Sequence, residues 1–414
     1  MTKKLKNVPE LRFPEFNEDW NERTISDSIK ILKSGLSREL STTDIGLPVI
    51  RANNLQNYNL VLDDIKYWFK EDPKGAKTEN YYLEKNDILV NFINSEAKMG
   101  TSCIIKSDFK RDTIYTTNIL RYVTKETYDS YFHYIYTQTY NYKKWIKIIT
   151  KPAVNQASFT TVDFKKIPYY IPEFNEQKKI GDFFSKLDCQ IELEEQKLEK
   201  LEEQKKGYMQ KIFSKELRFK DENGNNYPEW EEKNLKELID VRDGTHESPK
   251  PSKDGYLLVT SKNLKNSKLD LSESYFISKE DYESINQRSK VEIGDILFGM
   301  IGTIGNPILL EECDFAIKNV ALLKTNDLLE KYYILNFLKS SNISKQFYRM
   351  NAGGTQKFIA LSTIRDLNID MPSSEEAIKI GNFFNKVDNL IENQSNKLEL
   401  LKKRKQGFLQ KMFI

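Results

Sequence analysis

Asp87, followed by Glu96-Ala97-Lys98, has the residue types and spacing with which many nucleases hold Mg²⁺. A second aspartate stands in a matching phrase, Asp295-Ile296-Leu297 against Asp87-Ile88-Leu89, but no Glu-x-Lys follows it. The shared aspartate therefore reads more simply as the turn residue before a strand. Other catalytic signatures are missing. There is no Gly-x-x-x-x-Gly-Lys-Ser/Thr phosphate loop, and Gly299 to Gly305 has the wrong spacing for a dinucleotide fingerprint and reads as a tight turn. No Asp/Asn-Pro-Pro-Tyr/Phe stretch occurs. His133 and His246 occupy non-equivalent positions, which argues against a histidine triad and against structural zinc. Cys103, Cys189 and Cys313 stand alone, at neither metal nor redox spacing. The expectation is a chain with no catalytic, cofactor or metal site of its own.

What remains is the chemistry of contact. Tyr140-Asn141-Tyr142-Lys143-Lys144-Trp145-Ile146-Lys147 alternates aromatics with bases, and Lys151, Asn155 and Gln156 follow it. Lys33, Arg38, Arg51, Asn53, Asn54 and Lys98 are further candidates in the first half. The second half offers Arg242, Thr245, His246, Lys250 and Lys253, then Ser261, Lys262 and Asn263, then Arg349, Thr355, Gln356 and Lys357. Asn and Gln match adenine edges, Arg and Lys match guanine edges, and other lysines reach phosphate. Loops 33–57, 151–158, 242–263 and 349–357 are expected to face DNA, with Gln156 and Gln356 as the equivalent pair of contacts. A Tyr/Lys run also suits a core helix with a solvated rim, and a loop glutamine also suits a backbone cap.

These residues sit on a design written twice. Ile180-Gly181-Asp182-Phe183-Phe184 recurs as Ile380-Gly381-Asn382-Phe383-Phe384, and the match continues to Phe213 and Phe413. Gly46 to Asp72 aligns with Gly255 to Asp281, Leu11-Arg12-Phe13 recurs as Leu217-Arg218-Phe219, and Trp20 and Trp230 open the halves. Each unit reads as a mixed α/β module followed by a long helix: residues 1–172 and 173–214, then 215–372 and 373–414. Short apolar runs bounded by Gly and Asn give the strands.

In the first long segment Ile180, Phe184, Leu187, Ile191, Glu194, Leu198, Leu201, Lys205 and Tyr208 alternate by four and three. Ile380, Phe384, Val387, Ile391, Gln394, Leu398, Leu401, Lys405 and Phe408 repeat the pattern. The expectation is an antiparallel coiled coil, with each helix roughly 55 Å long. Its proposed register sets Glu194 against Lys405 and Lys205 against Gln394, with Leu198 facing Leu401 and Leu201 facing Leu398. The plainer alternative packs each helix on its own module.

Composition bounds these readings without choosing among them. The 414 residues suffice for two or three domains, and a net charge of +3 neither demands nor excludes nucleic acid. The basic N-terminus Met1-Thr2-Lys3-Lys4-Leu5-Lys6 has no apolar stretch behind it, so the chain reads as soluble and cytoplasmic.

Over nearly its whole length the sequence resembles the specificity (DNA-recognition) subunits of type I restriction–modification systems. The resemblance rests on Arg242-Asp243-Gly244-Thr245-His246 with Thr260-Ser261-Lys262-Asn263-Leu264, on Gly294-Asp295-Ile296-Leu297, on Gly354-Thr355-Gln356, and on Met371-Pro372 leading into the repeated helix phrase. It implies two tandem, pseudo-two-fold-related target-recognition domains separated by two long helices in an antiparallel coiled coil. Each domain would read half of a bipartite duplex, and two methyltransferase subunits and translocase/endonuclease subunits would dock. S-adenosylmethionine, Mg²⁺ and ATP would belong to those partners. The first module departs from the pattern, with Lys33-Ser34-Gly35-Leu36-Ser37 and Val154-Asn155-Gln156 at the corresponding places. The two modules are thus expected to read different half-sites. A non-catalytic adaptor joining two protein-binding modules is the alternative.

Overall fold

The computed structural model describes residues 7–154, 156–265, 268–302, 304–325, 328–350 and 358–414. They form two compact units: residues up to 195 together with 397–414, and residues 196–396. Each unit contains one module and a segment of both long helices.

In the first unit a four-stranded antiparallel sheet runs in the order Ile29–Ser34, Ile119–Thr124, Ile88–Asn91, Ser102–Ile104. A three-stranded sheet places Leu47–Ile50 between Ile114–Tyr115, parallel to it, and Lys66–Trp68, antiparallel. Asn21–Thr24 pairs antiparallel with Pro168–Ile171, joining the entry of the module to its exit. The strand Ile88–Asn91 is buried at every position, because its alternating side chains enter two different cores. Ile88 and Val90 pack with Trp20, Phe132 and Phe184, whereas Leu89 packs with Ile50, Cys103 and Ile119.

The second unit repeats this plan. Its four-stranded sheet is Asp240–Asp243, Val320–Lys324, Ile296–Gly299, Gly305–Leu309, and its three-stranded sheet centres on Tyr256–Thr260. Ile296 and Phe298 enter the core around Trp230 and Tyr333, and Leu297 enters the one around Val259 and Phe315. Before each central strand an aspartate closes the turn. Asp87 accepts the Glu84 amide at 2.8 Å, and Asp295 accepts the Glu292 amide at 2.9 Å. Both are buried and ion-paired at 2.6 Å, to Arg121 and to Lys324 respectively. The turn role expected of them is the one they have.

The recurring Leu-Arg-Phe and Trp positions meet at one buried carboxylate per unit. Arg12 grips Glu176 with two bonds of 2.7 and 2.6 Å, and the Trp20 indole donates to the same group. Arg218 and Trp230 hold Glu376 in the same way. Both glutamates lie in the first turn of a long helix, so this clamp ties the helix start to the N-terminal segment of its module.

The long helices run Phe174–Phe213 and Ser374–Lys411. The glycine of the repeated phrase has a steric cause. A Cβ on Gly181 would lie 2.4 Å from Asp129 Oδ1, and one on Gly381 would lie 2.8 Å from the Tyr333 amide nitrogen. Helix and module therefore approach too closely for any side chain there.

Within each unit the two helix segments run antiparallel. In the first, Phe183 meets Phe408, Asp188 pairs with Lys405 at 2.6 Å, and Glu194 pairs with Lys397. In the second, Tyr208 meets Phe383 and Lys205 pairs with Asp388. These contacts correct the expected register. Lys405 reaches Asp188 and Gln138 rather than Glu194, and Lys205 reaches Asp388 rather than Gln394. The slip is about one heptad. Sliding one helix by seven residues presents the same apolar seam, so the pattern alone leaves neighbouring registers equivalent. The flanking aspartates and the aromatic pairs decide between them.

The seam residues differ in burial along the helices. Ile180, Phe184, Ile380 and Phe384 are wholly buried in the module cores, where Phe184 also meets Phe413 and Phe384 meets Phe213 from the opposite long segment. Gln394, Leu398 and Leu401 are buried farther along, Leu187, Ile191, Glu194, Leu198, Leu201, Lys205, Val387, Ile391, Lys405 and Phe408 are half-buried, and Tyr208 is exposed.

Candidate nucleic-acid interface

The densest uncommitted positive charge in the first unit lies on the helix Tyr140–Ile149. Thr139 caps its N-terminus by accepting the Tyr142 amide at 3.3 Å. Tyr142 and Ile146 face the core, so the helical period turns Lys143, Lys144 and Lys147 outward. Lys151 follows, its backbone bonded both ways to Ser158, and Gln156 is exposed between them. The strand pair Ala157–Ser158 with Ile93–Asn94 leads into the turn Glu96–Lys98, whose Glu96 and Ala97 line a cleft with Lys143 and Lys147, and Lys98 is exposed on the same turn. Asn155 lies outside the described residues.

Other expected contacts in this unit have different uses. Arg38 forms a two-pronged bond to Asp72 at 3.0 and 2.6 Å, which holds that carboxyl well below the usual carboxylate range. Arg51 bonds Asp64 at 2.7 Å, and Lys33 lies 4.0 Å over the Tyr81 ring. Asn53 is exposed. Asn54 is corrected from a base contact to a structural residue: it is buried, accepts the Arg51 amide and donates to the carbonyls of Val61 and Asp63. Both ends of its amide are thus occupied within the chain.

In the second unit Asn263 repeats that role, accepting the Thr260 amide and donating to Asp270. Ser261 is buried as well. It donates to the Asn319 carbonyl and accepts from the Met300 and Ile301 amides. Neither has a group left for a base edge. Lys250, Lys253 and Lys262 are exposed, and so is Arg349 at the end of the helix Ser341–Met350. Arg242 pairs with Asp240 at 2.7 Å, and the Thr245 hydroxyl caps the Glu247 amide. His246 is exposed with one ring nitrogen 3.0 Å from Asp243 and the other 2.9 Å from Asn319. Thr355, Gln356 and Lys357 lie outside the described residues.

Sequence reasoning missed Arg288, which pairs with Asp243 beside His246 yet keeps its side chain exposed. It lies far from the Arg242–His246 phrase in sequence, and no motif marks it. Lys147 closes the basic run and is exposed. Its place one helical turn beyond Lys143 is the signal that finds it.

The metal-site reading of Asp87 does not survive this geometry. Its carboxylate is engaged by Arg121, while Glu96 and Lys98 are exposed on a separate turn. Burial pushes the Asp87 carboxyl up even with Arg121 beside it. Among the described residues no group of three or more His, Cys, Asp or Glu is placed to hold a metal ion. Nor is any of the described helices long and apolar enough to cross a membrane.

The model of the type I restriction modification DNA specificity domain matches residues 17–203 and again 227–403. The chain belongs to that family. It carries two specificity domains in tandem, as the internal repeat implied. It is similar to a putative type I restriction enzyme MjaX specificity subunit of Methanocaldococcus jannaschii, 25% identical over 422 residues that cover 98% of this chain and 95% of that one. The MjaVIII specificity subunit of the same organism is 24% identical over 265 residues, 59% of this chain and 61% of the relative. Among solved structures, the S subunit of a type I restriction–modification system from M. genitalium superposes with a TM-score of 0.65 at 16% identity, covering 98% and 99% of the two chains. At that identity the likeness speaks for the specificity-subunit fold alone.

Proposed function

We propose that this chain is the non-catalytic DNA-reading subunit of a type I restriction–modification complex. Residues 1–172 and 215–372 each read one half of a bipartite duplex. The helices, residues 173–214 and 373–414, set the gap between half-sites and dock two methyltransferase subunits, with translocase/endonuclease subunits joining them. S-adenosylmethionine, Mg²⁺ and ATP act on those partners. The observation that supports this most is the twofold match to a DNA specificity domain, on modules that share a topology but differ in their exposed polar side chains.

The contacts in this reading are the exposed groups: Asn53, Lys98, Lys143, Lys144, Lys151 and Gln156 in the first module, and His246, Lys250, Lys253, Lys262 and Arg349 in the second. Lys33, Arg38, Arg51, Arg242 and Thr245 shape the loops that carry them. Asn155, Thr355, Gln356 and Lys357 are retained from the sequence argument. Mapping methylated adenines genome-wide with and without the gene tests the reading, and a bipartite motif that vanishes with the gene is the expected result. Failure of the chain, with its methyltransferase partner, to retain any bipartite duplex would favour an adaptor instead.

A further inference from the structure

A cleft of about 300 Å³ opens on the first module between the helix Tyr140–Ile149 and the turn Glu96–Lys98. That volume is at the lower end of small-molecule sites. Its floor is apolar, formed by Met99, Tyr142 and Ile146. The threonine hydroxyls in its wall are already engaged: Thr101 donates to Lys98, Thr137 to Tyr134 and Thr150 to Ile146. Three charged side chains stand at the rim, Glu96, Lys143 and Lys147. Among the described residues none of them has a hydrogen-bond or ion-pair partner.

Tyr58 supplies the remaining wall, and its backbone is unusual. It ends the two-residue hairpin loop Asn57-Tyr58, between Leu55–Gln56 and Asn59–Leu60, with φ of 48° and 64°. Such a loop strongly favours glycine at the second position, because a Cβ is disfavoured at positive φ. A tyrosine held there is strained, and strain of this kind concentrates at functional sites. The ring faces the cleft, with the Lys143 ammonium 5.5 Å from its centre.

Tyr58 and the apolar floor together offer an aromatic and apolar lining for a flat ring. A donor on it meets the free carboxylate of Glu96, and an anionic group meets Lys143 and Lys147. We propose that this cleft binds an amino-bearing nucleobase with its attached phosphate. The base could be swung out of the bound duplex or belong to a free nucleotide. By sequence, the second module does not repeat the side chains that line this cleft. Trp20 packs on Phe132 as Trp230 packs on Tyr333, and this correspondence sets Lys143 against Ser344 and Lys147 against Tyr348. Tyr58 aligns with Ser267. The cleft would thus add to what distinguishes one module from the other.

Titration of the full chain with dCMP, dAMP, dGMP and dTMP tests the proposal without recourse to the DNA reading. Saturable binding of the three amino-bearing nucleotides is expected, with dTMP weaker by roughly tenfold or more. Glu96→Ala should erase that preference. Tyr58→Gly should abolish binding while giving the hairpin the residue its φ favours, and because Tyr58 also packs on the module core, thermal unfolding of the variant separates lost binding from lost folding. Equal binding of all four, no saturable binding, or binding unchanged in both variants overturns the site. A second arm rests on the DNA reading: with nucleotide binding established, a methylation motif altered in one half by Glu96→Ala assigns the site to a swung-out base. An unaltered motif assigns it to a free nucleotide, and either result keeps the nucleobase chemistry. Absence of any gene-dependent motif would remove the DNA reading and leave the cleft standing on the titration.

Discussion

His133 shows how much one buried side chain can report. Its Nδ1 faces the Asp129 carbonyl at 2.8 Å, which can only accept, so Nδ1 carries the proton and Nε2 accepts from the Tyr169 hydroxyl. Burial lowers its pKa from 6.5 to about 4. The folded state then binds fewer protons than the unfolded chain between those values, so stability is complete above pH 6.5 and falls as pH drops toward 4. The loss should be on the order of 3 kcal/mol and confined to the first unit. Thermal unfolding followed across that range, with His133→Gln as the non-titrating comparison, would show it. At the same scale, replacing Lys143 and Lys144 together should weaken binding to every DNA sequence. It should also lower the slope of log affinity against log salt by about one per lysine. An unchanged slope would take both off the phosphate backbone.

At the scale of elements, the long helices carry two kinds of glycine. Gly181 is pressed against Asp129, whereas Gly207 has open space where a Cβ would be. Gly181→Ala should therefore cost about 1–3 kcal/mol through forced displacement, while Gly207→Ala should add about 1 kcal/mol through helix propensity. Denaturant unfolding of the two variants decides the matter, and like signs would refute it. The buried clamp offers a stronger contrast. Arg12→Ala strands Glu176 without its ion partner and should destabilise the first unit by about 3–5 kcal/mol, with Arg218→Ala doing the same in the second. The duplication, the strands around Asp87 and Asp295, and the helix phrases were legible in the sequence because each has a local pattern. The helix register was not, since a heptad repeat is indifferent to a seven-residue slip. The structural use of Asn54 and Asn263 was equally hidden, because an asparagine that caps a turn and one that reads adenine look alike in a sequence.

For the whole molecule, the two specificity domains share topology while their exposed polar groups differ, so if each reads half of a bipartite target, as proposed, the halves should be separable by mutation. Replacing Lys250, Lys253 and Lys262 with alanine should change or weaken one half of the methylated motif and leave the other intact. Sequencing of modified adenines reads this directly, and loss of both halves in parallel would indicate general damage instead.

The discontinuity of the first unit bears on how the protein is made. Phe408, Met412 and Phe413 pack into its core beside Trp20 and Phe132, and the Leu11 amide bonds the Lys411 carbonyl. Residues 196–396 are contiguous, and the hydrophobic clusters described for that unit are built from residues within this span. On the ribosome, then, the module translated first must wait with an unfilled core until the whole of the second unit has emerged. The order of completion is the reverse of the order of synthesis, and the early module is the one exposed to proteases and chaperones in the meantime.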